Sequence, residues 1–185
     1  MQVLILGLVL WTAAHLFRRV LPGLRARLGE GPGKMLVAVL SLAAVFLMVI
    51  GYRRAEVDPV YTPMDGIGHL NNLLMLIALF LFGVSHSKGR VKAMVRHPML
   101  WSVVIWAVAH LLVNGDLASL VMFGWLGLWA LVEIVLINAQ VEWKRPAPGP
   151  LRSDAIALVI ALVLYGLIAG VHIWLGYNPF LGTYG

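Results

Sequence analysis

Cysteine is absent from this chain of 185 residues, which excludes disulfides, thiolate metal sites and cysteine nucleophiles. Charge is scarce as well. Only 12% of the residues are charged, against about 25% in a soluble domain. What fills the chain instead is apolar: 61% of the residues are hydrophobic and the mean hydropathy is +0.91. A soluble core of this size has no use for so much apolar surface, so the solvent of this chain is lipid. A span takes about 20 mostly apolar residues. Six such runs are legible, at roughly 2–20, 35–52, 67–84, 98–113, 117–140 and 154–175. The expectation is an all-α integral membrane protein with six transmembrane helices, forming one domain over residues 1–185. No room is left for a soluble catalytic domain, so any chemistry belongs among the helices or at their ends.

The first run is not expected to be a cleavable signal peptide, because it lacks a basic flank and no small-residue cleavage site follows. Gly29-Glu30-Gly31-Pro32-Gly33 is expected to break the first connecting loop, and Pro146-Ala147-Pro148-Gly149-Pro150 the last. Asn114-Gly115 is a strong turn dipeptide, so the fourth and fifth runs should form a tight hairpin.

The formal charge is +6. Its distribution argues against nucleic acid as a partner. Arg18, Arg19, Arg25, Arg27 and Lys34 follow the first run, Lys88, Arg90, Lys92 and Arg96 the third, and Lys144, Arg145 and Arg152 the fifth. Only Arg53 and Arg54 lie on the other side, beside Glu56, Asp58 and Asp65. Basic residues that flank spans in this way act as topology signals. They place the odd-to-even loops in the cytoplasm and both termini on the outer side, which for a bacterial inner membrane is the periplasm.

Six histidines carry most of the chemical interest, and depth sorts them. His15, His86 and His97 lie toward the basic side; His69, His110 and His172 lie toward the other. Ionisable groups within a membrane are rare and usually face the bundle interior. His110 stands far along the apolar stretch RHPMLWSVVIWAVAHLLVNGD. Read functionally, it is a metal ligand, since neutral imidazole binds iron, zinc and copper well. Read structurally, it makes a hydrogen bond between helices or caps the turn with Asn114. His15 and His172 divide between the same two readings; His69 and His86 suit the interface better. Trp11 and Trp106 each precede a histidine by four residues and share its helix face, as Tyr165 does seven residues before His172. Opposed histidines with aromatic walls can sandwich a haem iron, although membrane-belt packing explains any one of these aromatics equally well. Glu133 is the one carboxylate deep in a run and calls for a cationic or histidine partner. With His15 and His97 it could also form the two-histidine, one-carboxylate set of non-haem iron.

The string HPMLWSVVIWAVAHLLVNGDLASLVMFG, with His15 in the first run and HIWLG at 172–176, resembles the NnrU family of bacterial membrane proteins over nearly the whole chain. That resemblance implies a role in denitrification, with nitrite or nitric oxide reductase components as partners. The similar zeta-carotene isomerase of plants and cyanobacteria is a haem b enzyme. The likeness implies haem b here, with His110 and His15 as the matching iron ligands, and it opens the alternative of cis-trans isomerisation of a polyene lipid. A structural assembly partner without cofactor is the other alternative. One departure stands out: the isomerase has a cysteine where this chain has Ala107, so a thiolate ligand switch is excluded. Depth also tells against the His15–His110 pair. His110 lies about 20 Å along its helix from His97 at about 1.5 Å per residue, which favours His172 or His69 as its partner. A weaker resemblance links Arg96-His97-Pro98 to the isoprenylcysteine carboxyl methyltransferases, but Leu100 replaces the tyrosine expected there.

The charge asymmetry generates a direct test. A reporter fused at Gly185 is expected to read out a periplasmic C terminus. A fusion that fluoresces only in the cytoplasm reverses the orientation.

Overall fold

In the computed structural model, which describes residues 1–181, the chain is helical. The fusion point at Gly185 lies outside the described residues. The helices are α1 (Gln2–Val20), α2 (Pro22–Arg27), α3 (Glu30–Arg53), α4 (Ile67–His86), α5 (Arg90–Met94), α6 (Pro98–Val113), α7 (Leu117–Gln140) and α8 (Leu151–Trp174). All six apolar runs are helices. Five of them (α1, α3, α4, α7 and α8) are long and apolar enough to cross a membrane; α6 is apolar but has 16 residues. The chain is a membrane protein of packed apolar helices.

Two expectations about loops need correction. Glu30 to Gly33 do not break the chain but open α3. Pro32 is tolerated there because the first turn of a helix has no intrahelical partner for its N–H groups. The basic loops also carry the short helices α2 and α5, whose hydrophobic periodicity is too brief to see beside 20-residue spans.

Packing runs in the order α3–α1–α7–α6–α4–α8, with α3 also touching α7. The contacts are made by small side chains. Ala14, Ala44, Ala78, Ala107, Ala109, Ala130, Ala157 and Ala161 are buried, while most leucines, valines and isoleucines are exposed, with Leu4, Leu8 and Val84 among the exceptions. This inverts a soluble core. Lipid tails are as apolar as leucine, so helices associate by close backbone packing instead of by hydrophobic burial. The α1–α3 seam shows the limit. A Cβ on Gly51 would stand 2.3 Å from the Leu4 backbone nitrogen, and one on Gly7 would stand 2.8 Å from that of Met48.

The α6–α7 hairpin is held from outside by the segment before α4. The backbone N–H groups of Val60 and Tyr61 donate to the Gly115 carbonyl, and that of Leu117 donates to the Asp58 carbonyl. Pro59 and Asp116 form an antiparallel bridge. The Tyr61 hydroxyl donates to the carbonyls of Leu111 and Asn114. Burial, then the Asp116 charge, holds this phenol above its usual pKa, so it stays a protonated donor. Asp116 caps α7 by accepting from the Ser119 N–H at 2.9 Å. The Ser119 hydroxyl also donates to Asp116 and receives a bond of 2.7 Å from Tyr52 on α3.

Only glycine fits at the centre of this strap, because a Cβ at position 115 would lie 1.8 Å from the Tyr61 carbonyl oxygen. Gly115→Ala is expected to cost about 1–3 kcal/mol, as overpacking does, and to release the 58–61 segment. Thermal melting in detergent and proteolysis of that segment are the readouts; an unchanged midpoint and cleavage pattern would refute the strap's role.

Candidate functional site

Helix α7 carries the internal polar and aromatic positions. Ser119 meets Tyr52 of α3, and Trp125, Trp129 and Glu133 meet Thr12, His15 and Arg19 of α1 in turn, so α1 and α7 run in parallel and in register. Between Ser119 and Trp125, Phe123 turns toward α6 and stacks on His110 with ring centroids 4.4 Å apart and planes 22° apart. Trp106 closes on the same imidazole at 5.0 Å.

His110 lines a cavity of about 580 Å³ at the end of the bundle opposite the basic loops. Tyr52 and Arg53 of α3, Asn71 and Met75 of α4, and Tyr165 and His172 of α8 contribute to its wall. His110 and His172 stand near enough to interact electrostatically. Each imidazole is oriented by its own helix. Nδ1 of His110 donates to the Trp106 carbonyl at 2.9 Å, and Nδ1 of His172 to the Ile168 carbonyl at 2.8 Å. A carbonyl can only accept, so the proton sits on Nδ1 and the Nε2 lone pair is left for a ligand. Metal-binding histidines are commonly prepared in this way.

His15 obeys the same rule, with Nδ1 donating to the Trp11 carbonyl at 2.9 Å. Its surroundings are different. It stacks on Trp11 at 4.0 Å and meets the edge of Trp129 at 5.1 Å. Trp129 lies six residues beyond Phe123, about 9 Å farther along α7 at about 1.5 Å per residue. The structure thus brings His110 and His172 to one cavity and places His15 in a separate aromatic cluster. His69 is exposed at the start of α4, and His86 is exposed at its end.

The non-haem iron set is corrected. Among the described residues no three metal-ligating side chains come together. Glu133 faces Arg19 at 3.5 Å, with their side chains 8% and 25% exposed. His97 instead uses Nε2 to donate to the Asn138 side-chain oxygen at 2.9 Å. Each of the two already has a partner, Arg19 on α1 and Asn138 on α7.

Asn71 was not singled out from the sequence. It is 6% exposed and lines the cavity, and its Oδ1 has no hydrogen-bond partner among the described residues. Its Nδ2 reaches the Asn72 side-chain oxygen at 3.5 Å, while Asn72 donates to the Pro179 carbonyl at 2.7 Å. The available signal was the pair Asn71-Asn72 inside an apolar run, since two amides there need a reason. Phe123 and Tyr52 gave no such signal, because aromatics in spans are common.

These features define a helical membrane protein with a histidine-lined cavity near one end of its bundle. The chain matches the NnrU protein family over residues 3–179 and belongs to that family. Neither the curated proteins nor the solved structures include a match to it.

The Arg19–Glu133 pair generates a test. Glu133→Gln is expected to preserve insertion but lower thermal stability, and a cycle with Arg19→Gln should show coupling of about 0.5–3 kcal/mol. Additive single variants would mean that the carboxylate is only a tolerated acid.

Proposed function

We propose that this chain is a haem b-binding protein of the bacterial inner membrane that serves nitrogen-oxide respiration. In this reading it spans the membrane six times, with α6 as the shortest span, and both termini are periplasmic. The observation that carries the proposal is the pair His110 and His172: two imidazoles on different helices, each with Nδ1 occupied by its own helix, lining one cavity.

The residues present fit the group. A cavity of about 580 Å³ lies within the range of roughly 300–1,000 Å³ typical of small-molecule sites. Phe123, Tyr52 and Tyr165 provide aromatic walls, and Met75 provides a polarizable apolar one. Arg53 lies at the α3 end of the cavity and suits carboxylates such as haem propionates. Histidine is a usual axial ligand of haem iron. When bound, haem supplies one-electron chemistry or a Lewis-acidic iron. The chain's own residues do the rest. His110 and His172 would hold the iron, Phe123 and Trp106 keep the His110 ring in place, and Asn71 offers an acceptor to a donor group on whatever enters beside them.

The role in denitrification, beside nitrite or nitric oxide reductase components, rests on the family. The apolar wall gives no preference for a polyene lipid, so isomerisation has no observation of its own here.

An absorption spectrum of the purified protein tests the reading. A Soret band with sharp reduced α and β bands is expected. His110→Ala and His172→Ala should each abolish or shift it, and His97→Ala should leave it intact. Loss on His15→Ala with no change on His172→Ala would move the second ligand to α1. A chromophore-free protein, or a wild-type spectrum from His110→Ala, would defeat the proposal.

A further inference from the structure

At the opposite end of the bundle a second cavity, of about 410 Å³, opens between the end of α4, the α5–α6 junction and the 141–150 segment. Ser85, Lys92, Arg96, His97, Leu100 and Trp143 are among the residues that line it. Its cations are fixed in place. Lys92 Nζ donates to the Ser85 carbonyl at 2.6 Å, and the Arg96 guanidinium donates to the Val141 carbonyl. Beside them Arg145 Nε donates to the Ala93 carbonyl at 2.6 Å. Among the described residues, none of the three makes an ion pair with a carboxylate; the ion pairs present are Arg19–Glu133 and Lys34–Glu30.

Of the carboxylates nearby, Glu142 is exposed and makes no ion pair among the described residues, and the other is occupied elsewhere. Asp154 at the start of α8 is buried and accepts from the Arg90 and Val91 N–H groups at 2.8 and 3.4 Å. It ties α5 to α8 without neutralising Lys92 or Arg96.

A topology signal needs only charge near a span, and mobile side chains serve it well. Two cations held by backbone carbonyls in the wall of a recess, with a third held beside it, go further than that requirement. Each keeps donors to spare, because one bond uses one of five guanidinium N–H groups or one of three ammonium protons. Apart from Ser85 and His97, whose Nε2 is engaged by Asn138, the remaining wall is apolar, with Val95, Met99, Leu100 and Trp143 among its residues. A ligand matched to both halves carries an anionic phosphate and an apolar body. Basic recesses between helices at a membrane surface hold such headgroups.

We propose that this recess binds a phosphate-ester anion, with Lys92 and Arg96 as the recognising cations and Trp143 against the apolar part. The two sources of that chemistry are an anionic phospholipid headgroup and a soluble phosphate.

The purified full-length chain in detergent is titrated with phosphatidylglycerol and separately with phosphatidylcholine, and bound lipid is counted by native mass spectrometry. Phosphatidylglycerol is expected to bind more tightly. Lys92→Gln and Arg96→Gln should each weaken it roughly fivefold, as a surface cation near anionic lipid does. The charge-keeping pair Lys92→Arg and Arg96→Lys should restore binding, which separates lost charge from lost folding. Arg54→Gln, at the other end of the bundle, should change nothing. Excess inorganic phosphate that displaces the lipid would assign the recess to a soluble phosphate; no displacement assigns it to the headgroup. Equal binding of the two lipids, or undiminished binding by the double glutamine variant, would overturn the proposal.

Discussion

A polar group inside a bilayer has no water to fall back on, and the rest of this structure follows from that constraint. Backbone groups are satisfied within helices, since only helices and closed barrels achieve this in lipid. Side chains must find partners as well. Thr12 and Ser41 return their hydroxyls to carbonyls four residues back, and His15, His110 and His172 do the same with Nδ1. The hydroxyl oxygen can then only accept, as that of Thr12 does from the Trp125 indole N–H. Histidine differs, because the ring has a second nitrogen on the far side. The same bond that pays for placing an imidazole in lipid therefore presents a ligand.

Helix α7 converts that local rule into two distinct sites. Its contacts with α1 leave His15 between two indole rings, and its contact with α6 sets Phe123 against His110. Trp11 and Trp129 have indole N–H groups without partners among the described residues. That end of α7 also carries Glu133, balanced by Arg19. The two ends of the bundle differ in architecture as well as in charge. One carries the Tyr61 strap across the α6–α7 turn and the cavity lined by His110 and His172; the other carries the recess lined by Lys92 and Arg96.

Much of the fold was legible in the residues. Apolar runs marked six helices, five of them long and apolar enough to cross a membrane, because a lipid solvent demands length and hydropathy from each span separately, with no help from its neighbours. Asn114-Gly115 marked the hairpin, and Glu133 signalled a cationic partner, which Arg19 supplies. The membership in the NnrU family was legible from the HPML to NGD string and holds over residues 3–179. Short helices α2 and α5 escaped notice because five or six residues carry too little periodicity to register.

Sequence alone thus determined the solvent, the helices, the charge asymmetry and the histidines worth watching, since each depends on residues near one another in the chain. Tertiary structure decided which histidines share a cavity. His110 and His172 are 62 residues apart in the numbering, and they face the same space because α4 packs between α6 and α8. It also decided that Asn71 lines that space, that Gly115 lies beneath Tyr61, and that Lys92 and Arg96 flank one recess. Helix order around a bundle is set by where small residues allow backbones to approach. Hydropathy, which responds only to the surrounding lipid, carries no trace of it.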